Sequence, residues 1–360
     1  MSLTLGSLFD GIGVFPLAAS RQGITPVWAS EIEKVPISIT KRHFPDMLHL
    51  GDITKLKGSE IPPVHIITFG SPCQNLSTIG FREGLAGSKS GLFYHAIRII
   101  KEMRCATNGI FPVIAVWENV AGAFSSNHRL DFKSVLESFT DSEIPMPDSG
   151  RWAKCGMVRG SVADICWRLL DAQYWGEPSL VQRRKRVFVV ADFGGQRAAE
   201  ILLKSRQLYP LPDTGTESRL SATGTSGISA AETGREIPVL CPFEERRMRS
   251  CAKSGDIPGF LRSFGRADDP FPTLLASDVT PFAFWYEDDP EDGCIRFVTE
   301  TESERLMGLP EGWTKYGADG VEIRPLQRYK ALGNAIALPC ADYIMAGIYE
   351  VLADRAGKEE

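Results

Sequence analysis

The feature that most constrains the fold is an alternation along residues 3–193. LTLGSLF (3–9), VWASE (27–31), VHIITFG (64–70), PVIAVWENV (112–120) and RVFVVADF (186–193) are runs of strand formers. Between them, VFPLAASRQ after Gly13, IEKVPISITKRHF after Glu31, GLFYHAIRIIKEM (91–103) and SVADICWRLLDA (161–172) carry helical spacing. Parallel strands need crossover connections, and the usual crossover is a helix. The alternation therefore predicts a parallel, doubly wound α/β sheet, with ligands bound beyond the carboxyl ends of its strands.

The rhythm breaks after Phe193. Residues 212–236 are rich in Gly, Ser and Thr and read as a long surface loop. Residues 237–295 hold short patches separated by Pro, Gly and Asp, which predicts a small, irregular second domain. Helical pattern returns at 299–308 and again at 335–353. A chain of 360 residues fits about two domains, and 43% hydrophobic against 24% charged residues is a globular composition. The start, MSLTLGSLFDGIG, has no basic region followed by a long apolar run, and no run approaches the ~18 apolar residues of a membrane span. A soluble, cytoplasmic protein is expected. The eight cysteines form no C-x-x-C pair and no Cys/His metal spacing, so free thiols, most of them core filler, and no metal site are expected. The net charge of −5 argues mildly against a nucleic-acid partner, yet RRKR (183–186) and ERRMR (245–249) are local basic clusters.

Each predicted strand delivers a polar or special residue just past its apolar run. These are Phe9-Asp10-Gly11-Ile12-Gly13, then Glu31, Gly51-Asp52-Ile53, Pro72-Cys73-Gln74 and Glu118-Asn119. A glycine turn lets backbone approach a ligand closely at a helix start. Glu31 lies 18 residues after Gly13, near the spacing of a carboxylate that bonds a ribose. Asp52 is placed to accept from an adenine amine. Singly, each acid reads equally as a cap or a solvated turn; together they read as a site for a nucleoside-type cofactor.

FGSPCQNLS (69–77) sets a proline and a cysteine past the end of a buried strand, where a structural cysteine does not belong. A thiolate there is a strong nucleophile, and none of the five histidines falls in a triad pattern beside it. Thiolate chemistry without a paired histidine points to conjugate addition rather than proteolysis. Glu118, flanked by apolar residues, is placed to hold or share a proton. Arg184 and Arg186 alternate into a strand, which would turn both to one face and suit an anion or a carbonyl oxygen.

Taken in order, the motifs resemble the cytosine-5 DNA methyltransferases of bacterial or phage type. The matches are LFDGIG near the start, the acid of WASEIE, GDIT (51–54), SPCQNLS (71–77), WENV (117–120), QRRKR (182–186), RFVTETESERLMGLP (296–310) and ALGNAIALP (331–339). The resemblance covers most of the chain outside 194–270. It implies a Rossmann-like catalytic domain, 1–190 with 326–360, that binds S-adenosylmethionine, and a smaller target-recognition domain, 191–325. Cys73 would attack C6 of a flipped-out cytosine. Glu118 would bond N3 and the exocyclic amine. One or both of Arg184 and Arg186 would support O2 and the catalytic loop, and Pro72, Gln74 and Asn119 would belong to the catalytic set. Phe9, Asp10, Gly11, Gly13, Glu31, Ile32, Asp52, Ile53, Asn334 and Ala335 would hold the cofactor. Many members carry tryptophan where this chain has Ile32, which puts cofactor affinity in question more than activity.

DNA contacts would come from Ser77 in the loop after Cys73, from Thr273 and Leu274 in PFPTLLAS, and from candidates Arg246, Arg247, Arg249, Arg262 and Arg266. The implied partner is double-stranded DNA, with a cognate restriction endonuclease acting separately and the protein itself a monomer. Two alternatives stand beside this: a tRNA cytosine-5 methyltransferase of the same fold, and a catalytically silent DNA-binding homologue. No role is assigned to 139–160, including Trp152 and Cys155.

Overall fold

The computed structural model describes residues 2–71, 91–176, 180, 182–203, 239–242, 270–276, 281–285 and 294–356. The chain divides into two units: 1–170 with 185–206 and 341–360, and 171–184 with 207–340. The division at 190/191 and 325/326 expected from the motifs thus differs from one drawn by contacts. The contact division keeps 191–206 with the first unit and places 171–184 and 326–340 in the second.

The first unit is built on an eight-stranded sheet. Its elements are β1 (Thr4–Leu8), α1 (Val14–Arg21), β2 (Thr25–Ser30), α2 (Lys34–His43), β3 (Leu48–His49), β4 (Ile66–Phe69), α3 (Gly91–Ala106), β5 (Ile114–Val120), α4 (Leu130–Thr140), β6 (Cys155–Arg159), β7 (Asp164–Asp171), β8 (Lys185–Asp192) and α5 (Ala198–Leu203). The strand order is β3-β2-β1-β4-β5-β8-β7-β6. The first five strands are parallel, while β8 runs antiparallel to β5 and β6 antiparallel to β7. From β1 the chain moves outward to β2 and β3, then returns to place β4 on the other side. The β1/β4 boundary is therefore the topological switch point.

Two expectations are corrected here. The sheet is mixed rather than wholly parallel, because β5 and β8 are joined through a helix and two further strands instead of a single crossover. Residues 161–172, read as a helix, instead contain β7 (Asp164–Asp171). The strand is buried almost throughout, including Ile165, Cys166, Trp167 and Leu170, so it lacks the period-2 alternation of a half-exposed strand and imitates a helix.

Two tryptophans are accommodated by glycines on the facing strand. Gly6 pairs near Trp28, and Gly156 is the register partner of Trp167. An added Cβ at either glycine would fall within 2.4 Å of the indole. The core beneath the sheet gathers Phe69, Phe93, Trp117, Phe132, Phe139 and Trp167. Trp152 belongs to this core: its ring meets Phe132 edge-on at 5.3 Å, and its Nε1 donates to Arg129 O at 2.9 Å. Cys105 and Cys155 are exposed, and so are not core filler, while Cys166 and Cys340 are buried.

The second unit holds a three-stranded antiparallel sheet, β9 (Val239–Pro242), β10 (Pro281–Trp285) and β11 (Cys294–Phe297), in the order β11-β10-β9. α6 (Glu300–Leu306) starts on a capping box in which Thr299 and Glu302 bond each other's backbone N–H. α7 (Pro325–Asn334) begins on a proline, which has no N–H to leave unpaired. α8 (Leu338–Ala356) follows, and from residue 341 it packs in the first unit. There Tyr343 donates to Leu202 O at 2.9 Å, and Gly347 lies against the Ile201 carbonyl. Among the described residues, no single helix is long and apolar enough to cross a membrane.

Candidate active site

The parallel register of β3, β2, β1, β4 and β5 brings their carboxyl ends to one rim of the first unit. At the end of β1 the chain turns sharply. Phe9 (φ 53), Gly11 (φ 58) and Gly13 (φ 78) all adopt left-handed backbone. Gly13 is the N-cap of α1, and an added Cβ there would meet the Thr40 methyl at 2.9 Å. At Gly11 an added Cβ would meet nothing within 4 Å, so that face of the turn is open.

Glu31, at the end of β2, closes onto this turn. Its Oε2 accepts the Gly11 N–H at 2.9 Å, and its Oε1 accepts from Ile32 N at 2.7 Å and Glu33 N at 3.0 Å. Three backbone donors fix the carboxylate before any ligand arrives. Ile32 beside it is 69% exposed, a large apolar side chain set on the surface next to a fixed acid. Asp52 follows Gly51 (φ 72) and caps a short 3₁₀ turn. Its Oδ1 accepts from Thr54 N at 2.9 Å and Thr54 Oγ1 at 2.8 Å, and these bonds lower its pKa. Ile53, the next residue, is buried. The set offers an open glycine turn, two oriented carboxylates and an exposed apolar side chain. Such a set fits a nucleoside-bearing cofactor such as S-adenosylmethionine.

Asp10 differs from its neighbours. Both carboxyl oxygens are buried and neither has a hydrogen-bond partner of ordinary geometry. Burial pushes its pKa up to about 7, the Ser7 hydroxyl opposes this, and the charge of Glu31 adds to it. The folded chain therefore holds a proton that the unfolded chain has already released. Stability from this group is full below about pH 4 and is lost as pH rises towards 7, by at most about 4 kcal/mol. Asp10→Asn is expected to raise the melting temperature at pH 8 and to leave it unchanged near pH 4. Melts at the two pH values check this, and equal shifts at both would contradict it.

Beyond β4, Ser71 is held by the WEN motif of β5. Trp117 Nε1 donates to Ser71 Oγ and Asn119 Nδ2 to Ser71 O, each at 3.1 Å. Asn119 Oδ1 accepts the Val120 N–H at 2.8 Å, which fixes its amide. Glu118, between them, is buried and pairs with Arg186 of β8 at 3.0 Å. The antiparallel register sets Glu118 opposite Phe188 and Val120 opposite Arg186, so the ion pair is a diagonal contact across the two strands. An added Cβ on Gly70 would come within 3.0 Å of Glu118 Oε2, so the glycine leaves room for the carboxylate. Pro72, Cys73, Gln74 and Ser77 lie outside the described residues, as do Arg246, Arg247, Arg249, Arg262 and Arg266.

The remaining expected site residues belong to the second unit. The spacing of Arg184 and Arg186 suggests one face of a strand, but β8 begins at Lys185, so Arg184 lies outside its pleat. Arg184 is 1% exposed, and its guanidinium donates to the carbonyls of Leu274, Gly333 and Ala335. Thr273 Oγ1 donates to Arg183 O at 2.6 Å, and Leu274 is buried. Asn334, at the end of α7, is exposed, and Ala335 after it is buried. Sequence reasoning passed over Ser71 and Gln182. Ser71 stands at the head of SPCQNLS, a position that could have marked it.

Comparison with known proteins finds relatives among DNA methyltransferases. A DNA N-6-adenine-methyltransferase of Escherichia phage P1 is 32% identical over 218 residues, which is 53% of this chain; the chain spans only 28% of that relative's length. The Type II methyltransferase M1.ScrFI of Lactococcus lactis subsp. cremoris is 27% identical over 352 residues, covering 96% of this chain and 77% of the relative. Among solved structures, a DNA modification methyltransferase encoded within a prophage of E. coli superposes with a TM-score of 0.61 at 18% identity, over 98% of this chain and 100% of that one. The Dnmt2 methyltransferase of S. pombe gives 0.59 at 14% identity over 98% and 99%. These two structural likenesses establish a shared methyltransferase fold, Rossmann-like in its α/β layering. Residues 3–221 match the family of C-5 cytosine-specific DNA methylases. That match takes in the glycine turn, the WEN strand and the QRRKR segment, and the chain belongs to the C-5 cytosine-specific DNA methylase family, the DNA cytosine-5 methyltransferases.

Proposed function

We propose that the protein transfers a methyl group from S-adenosylmethionine to C5 of a flipped-out cytosine in a specific short duplex DNA sequence, through a covalent bond between Cys73 and C6. The observation that carries the reading is the fixing of Ser71, two residues before Cys73, by Trp117 and Asn119, with the Glu118–Arg186 pair between those two bonds in sequence. A nucleophile that must meet one ring atom needs a rigid base, and WEN supplies it.

Glu31 and Asp52 hold the ribose hydroxyls and the adenine amine; Phe9, Ile32 and Ile53 give apolar contact; Asp10, Gly11, Gly13, Asn334 and Ala335 line the methionine end. When bound, the cofactor supplies an electrophilic methyl group. The Cys73 thiolate adds to C6, forming an S–C6 bond and moving the C5–C6 π electrons onto C5. Glu118, carrying a proton, donates to N3 and accepts from the exocyclic amine, stabilising the ring as its electron density rises, and Arg186 keeps its carboxyl group in place. Once C5 carries the methyl group, its proton leaves to a base, the S–C6 electrons return to sulfur, and the ring double bond is restored. Unstacking the target base costs a few kcal/mol. Ser77, Thr273, Leu274 and the arginines at 246, 249, 262 and 266 are the proposed DNA contacts.

In this reading the 1–190 and 326–360 region is catalytic and 191–325 recognises the target. The protein acts as a cytoplasmic monomer on cellular DNA. The Type II names of several relatives support a separate endonuclease that cuts the same site when unmethylated. The test is incubation with methyl-labelled cofactor and either duplex DNA or total tRNA. Label is expected in DNA; label confined to tRNA would overturn the substrate assignment.

A further inference from the structure

Three stretches that the family resemblance ties to different tasks meet within the second unit: 182–184, 271–274 and 333–335. Arg183 N–H donates to Phe271 O at 2.7 Å, and Thr273 Oγ1 returns a bond to Arg183 O at 2.6 Å. Gln182 Nε2 donates to Leu306 O at 2.9 Å, and its Oε1 accepts the Leu274 N–H at 3.4 Å. Arg184 then joins all three. Its Nη1 donates to Leu274 O at 3.0 Å, and its Nη2 donates to Gly333 O at 2.8 Å and Ala335 O at 2.5 Å. The junction is tight as well as bonded. A Cβ on Gly333 would fall 2.3 Å from Ala276 N and 2.5 Å from Leu275 O, so the two backbones lie directly against each other.

A buried guanidinium is costly unless its donors are met. Its planar fork can direct separate N–H groups at separate carbonyls, which a lysine ammonium cannot do in one fixed plane. We infer that Arg184 is a positioning residue: its guanidinium locks the peptide bearing Thr273 and Leu274 to the peptide bearing Asn334, so that the recognition segment and a cofactor segment are ordered together. The meaning of the two segments rests on the proposed function; the bonds do not.

The experiment compares the whole protein with Arg184→Lys, by hydrogen exchange and by calorimetric binding of S-adenosylhomocysteine and of the duplex the wild type methylates. In R184K, amides of 271–276 and 333–336 are expected to exchange faster together, while those of β1, β4 and β5 do not change. Affinities for the nucleoside and for the duplex are expected to fall together, each by about ten-fold, the loss of one bond to a charged donor. Loosening of one segment alone would overturn the inference. So would a lower melting temperature with both affinities unchanged, which is what a merely structural residue gives. Thr273→Val, a milder break of the same junction, is expected to loosen 333–336 as well as 271–276, and protects the test against R184K failing to fold. Joint loosening in a protein whose wild type neither binds the nucleoside nor methylates DNA would leave Arg184's role standing and remove the proposed function.

Discussion

Cys73→Ala is expected to lower DNA methylation by more than about a thousand-fold while leaving the affinity for S-adenosylhomocysteine unchanged. The cofactor residues proposed here stand at the ends of β1, β2 and β3 and at Asn334–Ala335, and none needs a thiol. On the proposed mechanism, what is lost is the S–C6 bond. Without it C5 of cytosine has little nucleophilic character, and no other group in SPCQNLS can add to C6. Glu118 and Arg186 would still hold the ring, so residual rate measures what ring binding alone contributes. A duplex carrying 5-fluorocytosine at the target gives a second readout. Fluorine cannot leave as a cation, so the wild type should remain attached to DNA under denaturing electrophoresis and C73A should not. A C73A protein that methylates at a tenth of the wild-type rate or better would remove the covalent mechanism.

The largest expected effect on stability lies in the second unit, at Glu304. This carboxylate is fully buried. Its Oε1 accepts from Thr314 N at 2.8 Å, Thr314 Oγ1 at 2.5 Å and Arg328 Nη2 at 3.1 Å, and its Oε2 accepts the Gly312 N–H at 2.6 Å. One side chain of α6 thus fastens the 312–314 turn and α7. Glu304→Ala strands a buried guanidinium and two backbone donors, and removing one partner of such a pair costs about 3–5 kcal/mol. Glu304→Gln should be little better, since its amide must face either Gly312 N–H or the Arg328 and Thr314 donors with donors of its own. The check is chemical denaturation together with hydrogen exchange at Gly312 and Thr314, whose amides should lose protection. A loss below 1 kcal/mol with both amides still protected would show that Glu304 is not the fastening.

The parts of the fold that were legible share a property. β1, β2, β4, β5 and β8 each pair an apolar run with a polar residue at its end, and α3 has clear helical spacing, so local pattern and tertiary position agree. β7 was misread because burial on nearly all sides erases the alternation that identifies a strand. The three-stranded sheet of the second unit has strands of four or five residues, too short for periodicity to register. The site divides in the same way. Glu31, Asp52, Glu118 and Arg186 could be singled out because their chemistry is read at a strand end. The Gly11 bond to Glu31 and the bonds from Trp117 and Asn119 that hold Ser71 depend on register and could not be read from spacing. Arg184 is the clearest case. Its place in QRRKR suggests a substrate ligand, and only contacts 90 and about 150 residues away reveal three backbone carbonyls as its partners.

The most direct test of the central claim is the identity of the methylated nucleoside. Duplex DNA methylated by the purified protein is digested to nucleosides and resolved by mass spectrometry. The account predicts 5-methyldeoxycytidine, absent from DNA treated with C73A. N6-methyldeoxyadenosine, the product named for the phage P1 relative, would contradict it.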